Sequence, residues 1–176
     1  MSWYFIFVQL LDLLAWGFLV LSYYRKDTNR ILIFHLVATA LYCLHYYLLG
    51  AYSGVVICGL EIIRDLLYYK TDKDDFIFFV SFIVYLIGSI FTVKSIKDLL
   101  PIGASIVDGY SLTKSKKIVV LGGIISYSIW VIYNIYVKSY TGIITDGIVV
   151  ISNISILLFQ YDLFKGKNTS GVFPDK

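Results

Sequence analysis

Charge is scarce in this chain. Of its 176 residues only 15% are Asp, Glu, Lys or Arg, and 59% are hydrophobic. A soluble domain usually carries about 45–50% apolar and about 25% charged residues. The deficit excludes a soluble catalytic or ligand-binding domain, because the charges that remain cluster between long uncharged runs. Cysteine is nearly missing too. Cys43 and Cys58 both sit in apolar runs, which argues against a disulfide framework. They also lack the neighbouring Cys and His ligands of a zinc site, so they read as small packing residues. No nucleophile motif, phosphate-binding glycine loop or metal-ligand spacing appears. The expectation is therefore no enzyme, no metal and no cofactor. The net charge of +3 does not point to nucleic acid, since the basic residues flank apolar runs, which is the ordinary membrane-topology signal.

What is present is seven apolar runs. A bilayer span needs about 20 mostly apolar residues. The runs cover 3–23, 31–49, 55–69, 76–93, 99–112, 118–137 and 142–164. Each must be helical, because an open strand leaves its backbone unsatisfied in lipid, and the alternation of a membrane barrel is missing. The first run has no basic segment before it and no small-x-small site after it, so it reads as a retained span, with Trp3 and Tyr4 as interfacial anchors. Gly50–Gly54 and Lys138–Thr141 read as tight turns, and 165–176 as a polar, disordered cytoplasmic tail. The fold class is all-α: a polytopic membrane bundle of seven helices whose chief partner is the lipid bilayer. A homo-oligomer is left open.

Lys and Arg are unequally divided between the two ends of the spans. One side holds Arg25, Lys26, Arg30, Lys70, Lys73, Lys114, Lys116, Lys117, Lys165, Lys167 and Lys176; the other holds Lys94, Lys97 and Lys138. The positive-inside rule then places the N-terminus outside and the C-terminus in the cytoplasm.

An internal repeat is visible at an offset of 88. Tyr52, Ser53, Gly54, Gly59 and Ile63 correspond to Tyr140, Thr141, Gly142, Gly147 and Ile151. Lys26 corresponds to Lys114, and Tyr42 to Trp130. The expected organisation is two three-helix units, 1–70 and 97–164, joined by a linker helix in 71–96. Both units enter from the same side, so they would be parallel repeats about an axis along the membrane normal. A substrate path would run between them.

Ionisable and amide groups inside a membrane are costly, so they face the bundle interior or water. Trp130 and Asn134 share a helix face. They could cradle a sugar or nucleoside, the indole stacking and the amide bonding hydroxyls; equally, they could be a packing Trp and an interhelical hydrogen bond. Asn153 lies deeper, on the same face as Asp146. Asp146 is a gate, a cation ligand or a helix N-terminal acid. Tyr42 and His45 are further candidates for substrate contact, with His45 suited to proton coupling. Asp12 and Asp108 are alternatives for a proton relay. Glu61 and Arg64 can pair along one helix, as an anion site or as structural charge.

The chain resembles the YgjV family of bacterial inner membrane proteins. The resemblance rests on His45 with Leu48-Leu49-Gly50 and Tyr52, on Ile63-Arg64, on Leu99-Leu100-Pro101-Ile102-Gly103, and on Trp130-Val131 with Asn134, Ser139, Gly142, Gly147 and Asn153. It spans nearly the whole chain and rests on the order and spacing of these pieces. It implies a multi-pass inner-membrane protein with a layout similar to the SWEET and PQ-loop transporters. One departure stands out: only Pro101 lies in a span and no glutamine follows it, so proline-glutamine hinges are missing. The leading functional expectation is transport of a polar small molecule, by facilitated diffusion or proton coupling. The alternative is a non-transporting membrane component, such as an assembly or regulatory factor.

Overall fold

The computed structural model describes residues 3–23, 28–70 and 74–159. Arg25, Lys26, Lys73, the end of the seventh run and the tail lie outside the described residues. Seven α-helices follow in order: α1 (Trp3–Tyr23), α2 (Thr28–Leu48), α3 (Tyr52–Lys70), α4 (Asp74–Thr92), α5 (Leu100–Leu112), α6 (Lys116–Val137) and α7 (Tyr140–Phe159). A short 3₁₀ helix, Ile96–Leu99, precedes α5.

Four stretches, within α1, α4, α6 and α7, are long and apolar enough by themselves to cross a membrane. The other three helices depart from that pattern for identifiable reasons. The apolar part of α2 is the shorter stretch Ile33–Leu48. Helix α3 carries Glu61, Arg64 and Asp65 in its second half. Helix α5 has 13 residues, about 20 Å at 1.5 Å per residue. That is shorter than the ~30 Å hydrocarbon thickness, and the 3₁₀ helix before it forms the approach to α5.

Large apolar side chains point outward on every spanning helix, among them Leu10, Phe79, Ile87, Ile125, Ile144 and Ile151. The buried positions include Asp12, His45, Arg64 and Asn134. This inversion of the soluble pattern fits a bundle whose solvent is lipid. In packing order, α1 touches α2, α2 touches α3, α3 touches α5, α5 touches α6, α6 touches α7, and α7 returns to α1. The six helices thus close a ring, and α4 packs outside it against α3 and α5. Across the ring, α2 and α6 meet through aromatic side chains: Tyr46 stacks on Trp130 with centroids 5.5 Å apart and tilts against Tyr133.

The α2–α3 and α6–α7 turns are tighter than the sequence suggested, with helix resuming at Tyr52 and Tyr140. Each turns on one left-handed residue, Gly50 (φ +71°) in the first and Lys138 (φ 61°) in the second. Ala51 N–H donates to Tyr46 O at 2.9 Å, and Ser139 N–H donates to Asn134 O at 3.0 Å. These are the same helix-terminating bonds, made 88 residues apart.

Candidate functional site

The end of the bundle that holds these two turns and the 3₁₀ helix is called the turn face. A sharp turn between two helices leaves backbone groups without intrahelical partners. At membrane depth they need side chains in place of water. Here the partners come from other helices of the ring. Gln9 of α1 serves the α6–α7 turn: its Oε1 accepts from Thr141 N–H at 3.0 Å, and its Nε2 donates to Lys138 O at 3.3 Å. Tyr133 of α6 serves the α2–α3 turn: its hydroxyl accepts from Gly54 N–H at 3.1 Å and lies 2.9 Å from Ser53 Oγ. His45 of α2 reaches Ser139 Oγ at 2.8 Å. Asp98, beside α5, accepts from Ser53 Oγ at 3.3 Å.

At the centre lies a chain of polar side chains. Tyr46 donates its hydroxyl hydrogen to Asn134 Oδ1 at 3.0 Å, and Asn134 Nδ2 donates to Asp146 Oδ2 at 2.8 Å. Asn134 is fully buried, so without these partners its amide would cost roughly 2–7 kcal/mol. Two glycines permit the approach. A Cβ at Gly54 would fall 2.9 Å from Tyr46 Cγ, and one at Gly142 would fall 2.6 Å from Asn134 Nδ2. Nearby, Asp12 is 1% exposed, and its Oδ1 is 3.8 Å from His45 Nε2.

A second network occupies the opposite half of the bundle. Arg64 donates through Nε to Asp65 Oδ1 at 3.0 Å, and its guanidinium lies 3.5 Å from Asp108 Oδ2. Asp65 also meets His35 Nδ1 at 2.9 Å. Glu61 is not the partner of Arg64: it accepts from Ser105 of α5. Asp65 and Asp108 already take the guanidinium from its own helix and from across the α3–α5 contact. The expected Glu61–Arg64 pair is therefore replaced by an interhelical arrangement.

The sequence candidates divide accordingly. His45, Asn134, Asp146 and Asp12 are brought together near the turn face; Trp130 covers Tyr46, and Tyr42 packs against the same aromatic core. Arg64, Asp108 and Glu61 belong to the second network. Asn153 does not join Asn134; it lies against Gly123 of α6. Of the cysteines, Cys58 is buried in the core and Cys43 Sγ lies 3.6 Å from Val55 O. Sequence reasoning did not single out Tyr133, Ser53 or Thr145 as site residues. Ser53 entered only as a position of the expected repeat, opposite Thr141, and Tyr133 stands at the same 88-residue spacing from His45.

A cavity of about 630 Å³ opens at the turn face, lined by residues including Gly50, Ser53, Phe91, Lys94, Ser95 and Asp98. Asp98 forms part of its wall outside the spanning helices. Burial pushes its carboxyl up, but donation from Lys94 N–H, from the N–H and hydroxyl of Ser95 and from Ser53 outweighs this and holds it below the usual carboxylate range.

An outward apolar surface, a closed ring of helices and polar networks held inside it define a multi-pass α-helical membrane protein. The family model of the Imp-YgjV bacterial inner membrane proteins matches residues 6–161. The chain belongs to that family. No curated protein and no solved structure matches it.

Proposed function

We propose that the chain is a transporter of a polar small molecule, sugar- or nucleoside-like, built from two parallel three-helix units, α1–α3 and α5–α7, with the path between them. The observation that supports this best is continuity from cavity to buried polar chain. Ser53 lines the cavity and bonds Tyr133. Tyr133 packs on Tyr46 and Trp130, and Tyr46 bonds Asn134. A cavity of this size suits a small organic ligand. The unit boundary is supported by reciprocity: His45 and Tyr133, 88 apart, each cross to the other unit's turn. Stacked on Tyr46, Trp130 closes the path in this conformation, and separation of the units would free the indole and the Asn134 amide for substrate. Asn153, seven residues beyond Asp146 on α7, is the next polar contact inward. The asymmetry of Lys and Arg supports an outside N-terminus, with the turn face outward.

The same stacked aromatic block favours a second reading, a non-transporting assembly or regulatory component, because it fills the space between α2 and α6. Uptake of labelled sugars and nucleosides into proteoliposomes separates the two. Transport predicts saturable uptake that Asn153→Leu abolishes without unfolding the protein and that Asn134→Leu mainly weakens. Uptake no greater than in empty liposomes across the panel favours the second reading. Labelling of cysteines placed at positions 2 and 168 in intact cells tests orientation, and reagent reaching position 168 would overturn it.

A further inference from the structure

Asp12 is the most enclosed carboxylate of the turn-face network. It is 1% exposed, and its Oδ2 has no hydrogen-bond partner among the described residues. A carboxylate removed from water is stable only when paired with positive charge or with donors. Among the described residues the packed helices offer it no positive charge, and the two threonine hydroxyls that face it are shared with other acceptors. From α7, the Thr141 hydroxyl donates to Gln9 and the Thr145 hydroxyl to Gly142 O, at 3.1 and 3.3 Å. The other acid there, Asp146, adds a second negative group and takes its hydrogen from Asn134. From α2, the Tyr46 hydroxyl is committed to Asn134.

His45 of α2 is the remaining titratable neighbour. Its Nδ1 lies 2.8 Å from Val8 O, a carbonyl that can only accept, so Nδ1 carries hydrogen. In the neutral ring, Nε2 is then a lone pair. It accepts from Ser139 Oγ at 2.8 Å, so the ring nitrogen 3.8 Å from Asp12 Oδ1 has no hydrogen to give it. The surroundings of Asp12 are thus rich in oxygen and nitrogen lone pairs, with shared hydroxyl hydrogens and one carboxylate oxygen, Oδ2, left unbonded among the described residues. Among the described residues, no lysine or arginine takes part.

We propose that Asp12, with His45, Thr141, Thr145 and Asp146 around it, is an intramembrane binding site for a monovalent cation. Two sources supply that chemistry. A proton binds to Asp12 Oδ1 or, by transfer, to His45 Nε2; the Oδ1–H bond breaks, the Nε2–H bond forms, and the neutral pair becomes a carboxylate–imidazolium pair of the same net charge. A sodium ion instead takes Asp12 Oδ2 with the threonine oxygens, whose hydrogens then turn to Gln9 and the Gly142 carbonyl. The site joins α1 to α2 and α7, so its occupant ties the first helix to both flanks of the ring.

The site does not depend on the transport reading, and its test uses no substrate. The full chain is melted in phosphatidylcholine nanodiscs, first from pH 8 to pH 5 in choline chloride, then with sodium chloride replacing choline at constant ionic strength and pH 8. Below saturation of the unfolded chain, each tenfold rise in the bound cation should raise the melting temperature by about 3–5 °C. A rise with acid and not with sodium assigns the proton; a rise with sodium at fixed pH assigns the metal ion. Asp12→Asn should flatten the active titration, and Thr145→Val should weaken only a sodium response. Should Asp12→Asn fail to fold, Asp12→Glu serves in its place, because it keeps the carboxylate and should retain the response with a shifted midpoint. Equal responses in wild type and Asp12→Asn, or no response to either cation, would overturn the proposal. A flat uptake assay would leave it standing.

Discussion

Replacing Gly142 with alanine tests how closely α6 and α7 must approach. The added Cβ would lie 2.6 Å from both Asn134 Nδ2 and Ser139 Oγ, and 2.8 Å from Asn134 Cγ. Real Cβ contacts begin well beyond that, and none of the atoms struck is free to retreat. Asn134 is held by Tyr46 on one side and Asp146 on the other, and Ser139 is held by His45. Overpacking of this kind costs about 1–3 kcal/mol. Displacing the amide from a buried hydrogen-bonded partner adds about 1–3 kcal/mol. Against these stands the intrinsic gain of alanine over glycine in a helix, about 1 kcal/mol. The net expectation is a loss of about 2–4 kcal/mol. Gly147 is the internal control. It lies five residues further along α7, and a Cβ there meets nothing within 4 Å, so Gly147→Ala should be neutral or slightly stabilising. Both variants can be compared by reversible unfolding in mixed micelles. If Gly142→Ala is as stable as Gly147→Ala, the polar chain from Tyr46 to Asp146 is not packed as described.

Lys138 is the one described non-glycine residue with positive φ, and a left-handed residue with a Cβ costs about 1–2 kcal/mol. Lys138→Gly should therefore raise stability by about 1 kcal/mol in the same unfolding assay, and a decrease would show that the lysine side chain matters more than the strain. Arg64→Met should destabilise the chain by about 3–5 kcal/mol, because it leaves Asp65 and Asp108 without their shared cation; the triple change that also makes both acids leucine should recover most of the loss in a chemical-denaturation series. Asp98 has a carboxyl held below its ordinary value of about 3.9. Its contribution is thus complete above that pH and lost as pH falls through the depressed folded value. The stability gap between wild type and Asp98→Asn should be constant from pH 7 to about pH 5 and close below about pH 4; a gap unchanged at pH 3 would rule the carboxylate out as a cap.

How much of this molecule could be read along the chain depended on the length scale of the interaction. Helix in each apolar run follows from backbone chemistry in lipid, where each unsatisfied amide costs several kcal/mol whatever its neighbours. The bilayer also sets the run lengths. That is why the seven helices and the compartment were legible. The turns were located to within a few residues, but their tightness was not. A left-handed Gly50 is a local signal, whereas a left-handed Lys138 exists because Gln9 and His45 hold that turn from other helices. Candidate polar residues could be found by their cost in lipid, yet their partners could not. Arg64 has Glu61, Asp65 and Asp108 within reach of some helix geometry; it takes Asp65 from its own helix, and only the α3–α5 contact adds Asp108. Asn134 and Asn153 look alike in sequence. The tertiary structure gives one of them Tyr46 and Asp146, and sets the other against Gly123. Helix formation is a property of each run and its solvent; the networks form only where helices distant in sequence approach, and that approach is decided by packing.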